Sequence, residues 1–145
     1  MFTDLLRRLT APEPEQLPDT DARLALAALL VRIARTDGDY AAVEIAQIDE
    51  SLMRRYQMDA NAAAALRAEA ETLESQAPDT VRFTRAIKDA VAYDDRVAVV
   101  EALWAVVMAD GIRDNEEDSM MRMTASLLGV TDQDSHAARL RIAAG

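Results

Sequence analysis

"LALAALLVRIARTDGDY", residues 24–40, decides the fold class. Leu24, Ala27, Ala28, Val31 and Ala34 recur at helical spacing, and Leu26, Leu30 and Ile33 fill the adjoining side. A helix that is apolar on more than one side has to be covered on more than one side, which puts it at the centre of a fold. The pattern predicts a helix over 21–36, capped by Asp19 or Thr20 and stopped at Asp37-Gly38, where glycine takes up the left-handed turn that ends helices.

Working outward from that helix, the pattern predicts further helices over about 42–56, 60–75, 80–91, 94–109, 114–128 and 131–142. Their inward stripes are Ile45, Ile48, Leu52 and Met53; then Phe83, Ile87 and Val91; then Val97, Val100, Leu103, Trp104 and Val107; then Met120, Met121, Met123, Ala125, Leu127 and Leu128. Asp59 is placed to cap the third helix, Pro78-Asp79 separates the fourth from it, and Gly129 stops the one before last. Before all of these, residues 1–10 make a short apolar-faced helix, and "APEPEQLPDT" (11–20) reads as a proline-rich connector. The expectation is an all-α, single-domain bundle of about seven or eight helices, with residues 1–20 as a short helix and proline-rich connector and 21–145 as the helical domain.

Composition agrees. The 145 residues are 50% hydrophobic, enough for one core, and only 4 Gly, 4 Pro and 4% aromatic residues favour helices over sheets. A net charge of −10 repels nucleic acid and anionic lipid. The lack of cysteine excludes disulfides, thiolate nucleophiles and zinc-thiolate sites and suits a reducing, cytoplasmic setting. Arg7 and Arg8 behind the first apolar residues do not read as a secretory signal.

The Asp-Gly stop occurs twice. Shifted by 73 positions, Asp37-Gly38 falls on Asp110-Gly111, Glu44 on Glu117, Leu30 on Leu103, and Asp59 on Asp132. Cap, apolar stripe, Asp-Gly, glutamate and next cap match in order, so the two halves, about 21–76 and 94–145, are expected to pack about a pseudo-twofold axis.

An EF-hand also places Gly six residues before a bidentate Glu, but its first and third ligand positions would fall on Ile33 and Arg35, or on Val106 and Met108. None of these carries a carboxylate, so a standard EF-hand is excluded. Helix capping alone accounts for much of the pattern: Gly38 and Gly111 stop helices, and Asp114 with Glu117 makes a capping box worth ~1 kcal/mol. In the first copy Ala41 sits at the cap, which leaves Glu44 with half a box. Asp37 and Asp110 face the negative ends of helix dipoles, a cost of a few tenths to ~1 kcal/mol that a cation or a neighbouring amide offsets.

"IARTDGDYAAVEIAQIDESL" and "VVMADGIRDNEEDSMMRMTASLLGV" resemble the two helix-loop-helix signatures of the TerB-like, tellurite-resistance-associated family. The resemblance implies a bacterial, all-helical, non-enzymatic stress-response module. It further implies protein partners, peripheral association with membrane-bound assemblies, and weak affinity for Ca²⁺ or another hard divalent cation. Carried onto this sequence, the metal candidates are Asp37, Asp39, Glu44, Asp110, Asp114 and Glu117. Ile112 stands where the first copy has Asp39, so the two sites are not chemically identical.

Two rival readings stay open. One is a small metal-dependent hydrolase using the same carboxylates; the other is a purely structural domain in which Asp-Gly is punctuation. No catalytic triad can be assembled, because His136 is the only histidine and lies in the polar opening of the last helix. Trp104 reads as a buried anchor.

Overall fold

The computed structural model describes residues 19–35, 40–76, 80–109 and 115–144, with the side chains of 19–22, 80–83, 86 and 115–117 outside the described set. Seven helices follow one another among the described residues: α1 (Asp19–Ala34), α2 (Ala42–Tyr56), α3 (Ala60–Gln76), α4 (Thr80–Ala90), α5 (Tyr93–Val107), α6 (Asn115–Leu127) and α7 (Asp132–Ala144). The fold is all-α, as the periodicities predict. The helix expected near the amino terminus lies outside the described residues.

α1 is the central element. Every residue from Leu24 to Val31 is buried, together with Ile33 and Ala34, and the helix packs against α2, α3, α4, α5 and α6. Its all-round apolarity is thus matched by cover on all sides. Each fully buried Leu or Ile here stabilises the fold by roughly 1.5–3 kcal/mol. α5 is the second apolar helix, burying Val99, Val100, Leu103, Trp104, Val106 and Val107.

The remaining helices lay single stripes onto this pair. Ile48 and Leu52 of α2, Ala63, Ala70 and Leu73 of α3, Ile87 of α4 and Met121 and Ala125 of α6 are buried. Ile45, Met53 and Met120 stand only half-buried, and Met123 is 43% exposed. Met123 lies two residues from Met121, about 200° around the helix, so burying one turns the other to solvent.

α1 packs most extensively on α3, and α5 on α7. α5 ends and α6 begins 73 positions after α1 ends and α2 begins. In both places an apolar helix is followed in the chain by a shorter amphipathic one.

Side chains and turns fix the ends. Asp59 Oδ1 accepts the Ala62 amide at 2.8 Å at the start of α3, and Thr131 Oγ1 accepts the Asp134 amide at 3.1 Å at the start of α7. α6 stops at Gly129, whose φ of 74° is left-handed, and the Val130 amide donates to the Ala125 carbonyl at 2.9 Å to close the turn. α2 ends the same way on a non-glycine residue: Gln57 has φ 53°, and the Met58 amide donates to the Met53 carbonyl. Arg96 donates to the Lys88 and Val91 carbonyls, satisfying the end of α4.

Candidate functional site

The two Asp-Gly segments lie in the chain between α1 and α2 and between α5 and α6. Asp37, Asp39, Asp110 and Asp114 lie outside the described residues, and Glu117 is described only as a backbone position in the first turn of α6. Glu44 is therefore the one candidate ligand whose side chain is placed.

Its placement is unusual for a glutamate. Glu44 is 1% exposed, on a helix whose other buried residues are Ile48 and Leu52. It sits in the first turn of α2 and folds back so that Oε1 accepts the Ala41 amide at 3.3 Å. This is the half capping box expected from Ala41, which has no side-chain oxygen to return the bond. The Glu44 amide instead donates to the Ala41 carbonyl at 3.1 Å. A carboxylate held at a helix amino terminus also gains from the positive end of the helix dipole.

The residues flanking the first turn are tied firmly to α3. On the α1 side, Arg35 reaches Glu74 at 2.7 Å and Arg32 reaches the same carboxylate at 3.4 Å and the Glu74 carbonyl at 3.2 Å. On the α2 side, Tyr40 donates its hydroxyl to Glu71 at 2.8 Å, and the Arg35 guanidinium stands 4.9 Å from the Tyr40 ring centre. Arg67 then joins Glu71 at 3.1 Å to Asp49 of α2 at 2.6 Å. Burial first, and the Glu71 carboxylate second, push the Tyr40 phenol well above the ordinary tyrosine value. The hydrogen bond to Asp49 leads the causes that raise Arg67, with burial opposing it.

This network is only partly legible in the sequence. Its local parts are visible there: Arg32 and Arg35, or Glu71 and Glu74, share a helix face at three-residue spacing, and Arg67 and Glu71 at four. The pairings across 31 to 42 residues are not, because they depend on how α1 and α2 cross α3. Asp49, Glu71 and Glu74 each face an arginine, so these carboxylates brace the turn and are not offered to an ion. Among the described residues no group of three Asp, Glu or His side chains is placed to hold a metal. The described part contributes a single hard oxygen donor, Glu44.

At the second turn, the Met108 amide donates to the Trp104 carbonyl and the Ala109 amide to the Val106 carbonyl at 3.2 Å, a tightened last turn of α5. α6 begins at Asn115, so its first turn contains Glu117, in register with Glu44 in α2.

A profile of the tellurite resistance protein TerB family matches residues 23–140. The chain belongs to the TerB family. The match runs from the first turns of α1 into the last turns of α7, so both Asp-Gly turns fall inside the TerB region. Comparisons with curated proteins and with solved structures give no match. No helix among the described residues is long and apolar enough to cross a membrane.

Proposed function

We propose that this TerB-family chain is a non-enzymatic, cytoplasmic stress-response module that binds protein partners and, weakly, a hard divalent cation such as Ca²⁺ through its two acidic turns. The observation that carries this reading is Glu44, a carboxylate 1% exposed at the exit of the turn bearing Asp37 and Asp39. Glu44 stands in one short stretch of chain with Asp37 and Asp39, and oxygen ligands of this kind select hard cations. Asp110, Asp114 and Glu117 are the corresponding donors of the second turn, with Ile112 making it the weaker site. The bracing of the first turn by Glu71 and Glu74 supports the reading, since a cation site gains affinity when its loop ends are held in advance. Protein partners are favoured over nucleic acid or lipid by the charge of −10.

Titration of isotope-labelled protein with CaCl₂, followed by amide NMR shifts, tests the proposal. Saturable shifts confined to 36–44 and 110–117 support it. Shifts spread over the acidic surface without saturation, or none at millimolar calcium, leave the turns with capping alone.

A further inference from the structure

α5 buries Val99, Val100 and Leu103 in the core, which turns Ala98, Ala102 and Ala105 to its other side, where each stands half-buried. These alanines recur four and then three residues apart and so share one face. Where α2 packs against α5, their methyl groups leave a gap that longer side chains would fill, and a pocket of about 210 Å³ opens there, with Ile142 of α7 on its wall. That volume has room for about seven waters at ~30 Å³ each. It lies below the range of drug-sized ligand sites, so the occupant it fits is a small molecule.

The α2 wall of the pocket carries the donors. Gln47, Ser51 and Arg55 line it at four-residue spacing. Gln47 Nε2 donates to Ser51 Oγ at 3.4 Å, which leaves the serine proton to donate in turn. Arg55 Nε is buried without a hydrogen-bond partner, and among the described residues Arg55 enters no ion pair. Its guanidinium stands 5.7 Å from the Tyr56 ring centre, a contact that uses none of its N–H groups. The negative end of α2 favours an arginine in the last turn, yet supplies that Nε with no acceptor. A buried donor left unpaired costs desolvation energy, and an anion seated at Arg55 returns it.

The neighbouring charges decide which anion. Arg54, also on the pocket, is held by Glu50 at 2.6 Å. Glu101 of α5 is the one carboxylate among the described lining residues, and it accepts from Arg141 at 3.1 Å. Its charge opposes a second negative charge on the ligand, which favours a singly charged carboxylate over a phosphate. A carboxylate also matches the planar guanidinium, oxygen for N–H.

We infer that this pocket binds a small amphipathic monocarboxylate. The carboxylate is received by Arg55 and the Ser51 hydroxyl, and the apolar body lies on the alanine face of α5 against Ile142. None of the acidic-turn residues takes part.

Isotope-labelled full chain is titrated with sodium hexanoate and with sodium benzoate at constant ionic strength, and the amide shifts are followed by NMR. The primary amide of the better binder removes the charge, and acetate removes the apolar body. The expected result is saturable shifts in 47–55 and 98–105 for at least one of the two carboxylates, with the amide and acetate bound about tenfold more weakly, a loss near 1.4 kcal/mol. Arg55→Gln, which removes the charge, and Ala102→Leu, which fills the pocket, should each weaken binding to at least that degree while leaving the helical circular dichroism unchanged. No saturable shift with either carboxylate, shifts centred on other residues, an amide bound as well as its acid, or undiminished binding by either variant would overturn the assignment.

Discussion

The Tyr40 hydroxyl donates to the Glu71 carboxylate at 2.8 Å, joining the exit of the first acidic turn to the middle of α3. This bond and the Arg35–Glu74 pair at 2.7 Å secure the two ends of one turn to one helix. Tyr40→Phe should cost about 0.5–1.5 kcal/mol in urea unfolding at neutral pH, the net worth of one hydrogen bond.

The same contact sets an alkaline dependence. With the folded phenol raised, stability is fully present below the ordinary tyrosine value near ~10 and is lost as pH rises beyond it, because the unfolded chain releases that proton first. Urea melts of wild type and Tyr40→Phe should therefore converge as pH rises above the ordinary value. A gap that stays constant would show that Tyr40 keeps no proton advantage.

Glu74 receives both Arg32 and Arg35. Glu74→Ala leaves Arg35 without that carboxylate at the edge of the turn and should destabilise by roughly 1–3 kcal/mol, as when one member of a partly buried charged bond is removed. Exchange of the α1 carboxyl-terminal amides with solvent deuterium should quicken with it.

Gly129 offers a sharper steric test. Its φ is 74°, and a Cβ there would come within 2.9 Å of Lys88 Cε. Gly129→Ala should cost about 1–2 kcal/mol for the left-handed backbone. The lysine contact adds little, because the far end of Lys88 can swing away, so Lys88→Ala should restore only a minor part. The converse change, Gln57→Gly, relieves a left-handed non-glycine residue and should stabilise by up to about 1 kcal/mol.

How far the sequence discloses this fold depends on the range of each signal. α1 is legible because its apolar residues crowd more than one side, and Asp59 and Gly129 are legible because caps and left-handed stops act within a few residues. The half capping box at Glu44 follows from Ala41 for the same reason. The depth of Glu44's burial is not legible, since a glutamate near a helix start is usually solvated, and only the packing of α2 on its neighbours encloses it. The Tyr40–Glu71 and Arg35–Glu74 ties are hidden for a related reason: each requires knowing which helix lies against which. Arg55 shows the same limit, being an outward arginine at a helix end until α5 is set beside it.

The central claim is that Glu44 works with its turn to hold a cation. Thermal unfolding of wild type and Glu44→Gln, each in CaCl₂ and in EDTA, tests it most directly, because glutamine keeps an oxygen for the Ala41 amide and removes only the charge. The prediction is a Tm that rises with calcium in the wild type, by the mass-action stabilisation of a bound ion, and does not rise in Glu44→Gln. Equal Tm values with and without calcium in the wild type, or an equal rise in both proteins, would contradict it.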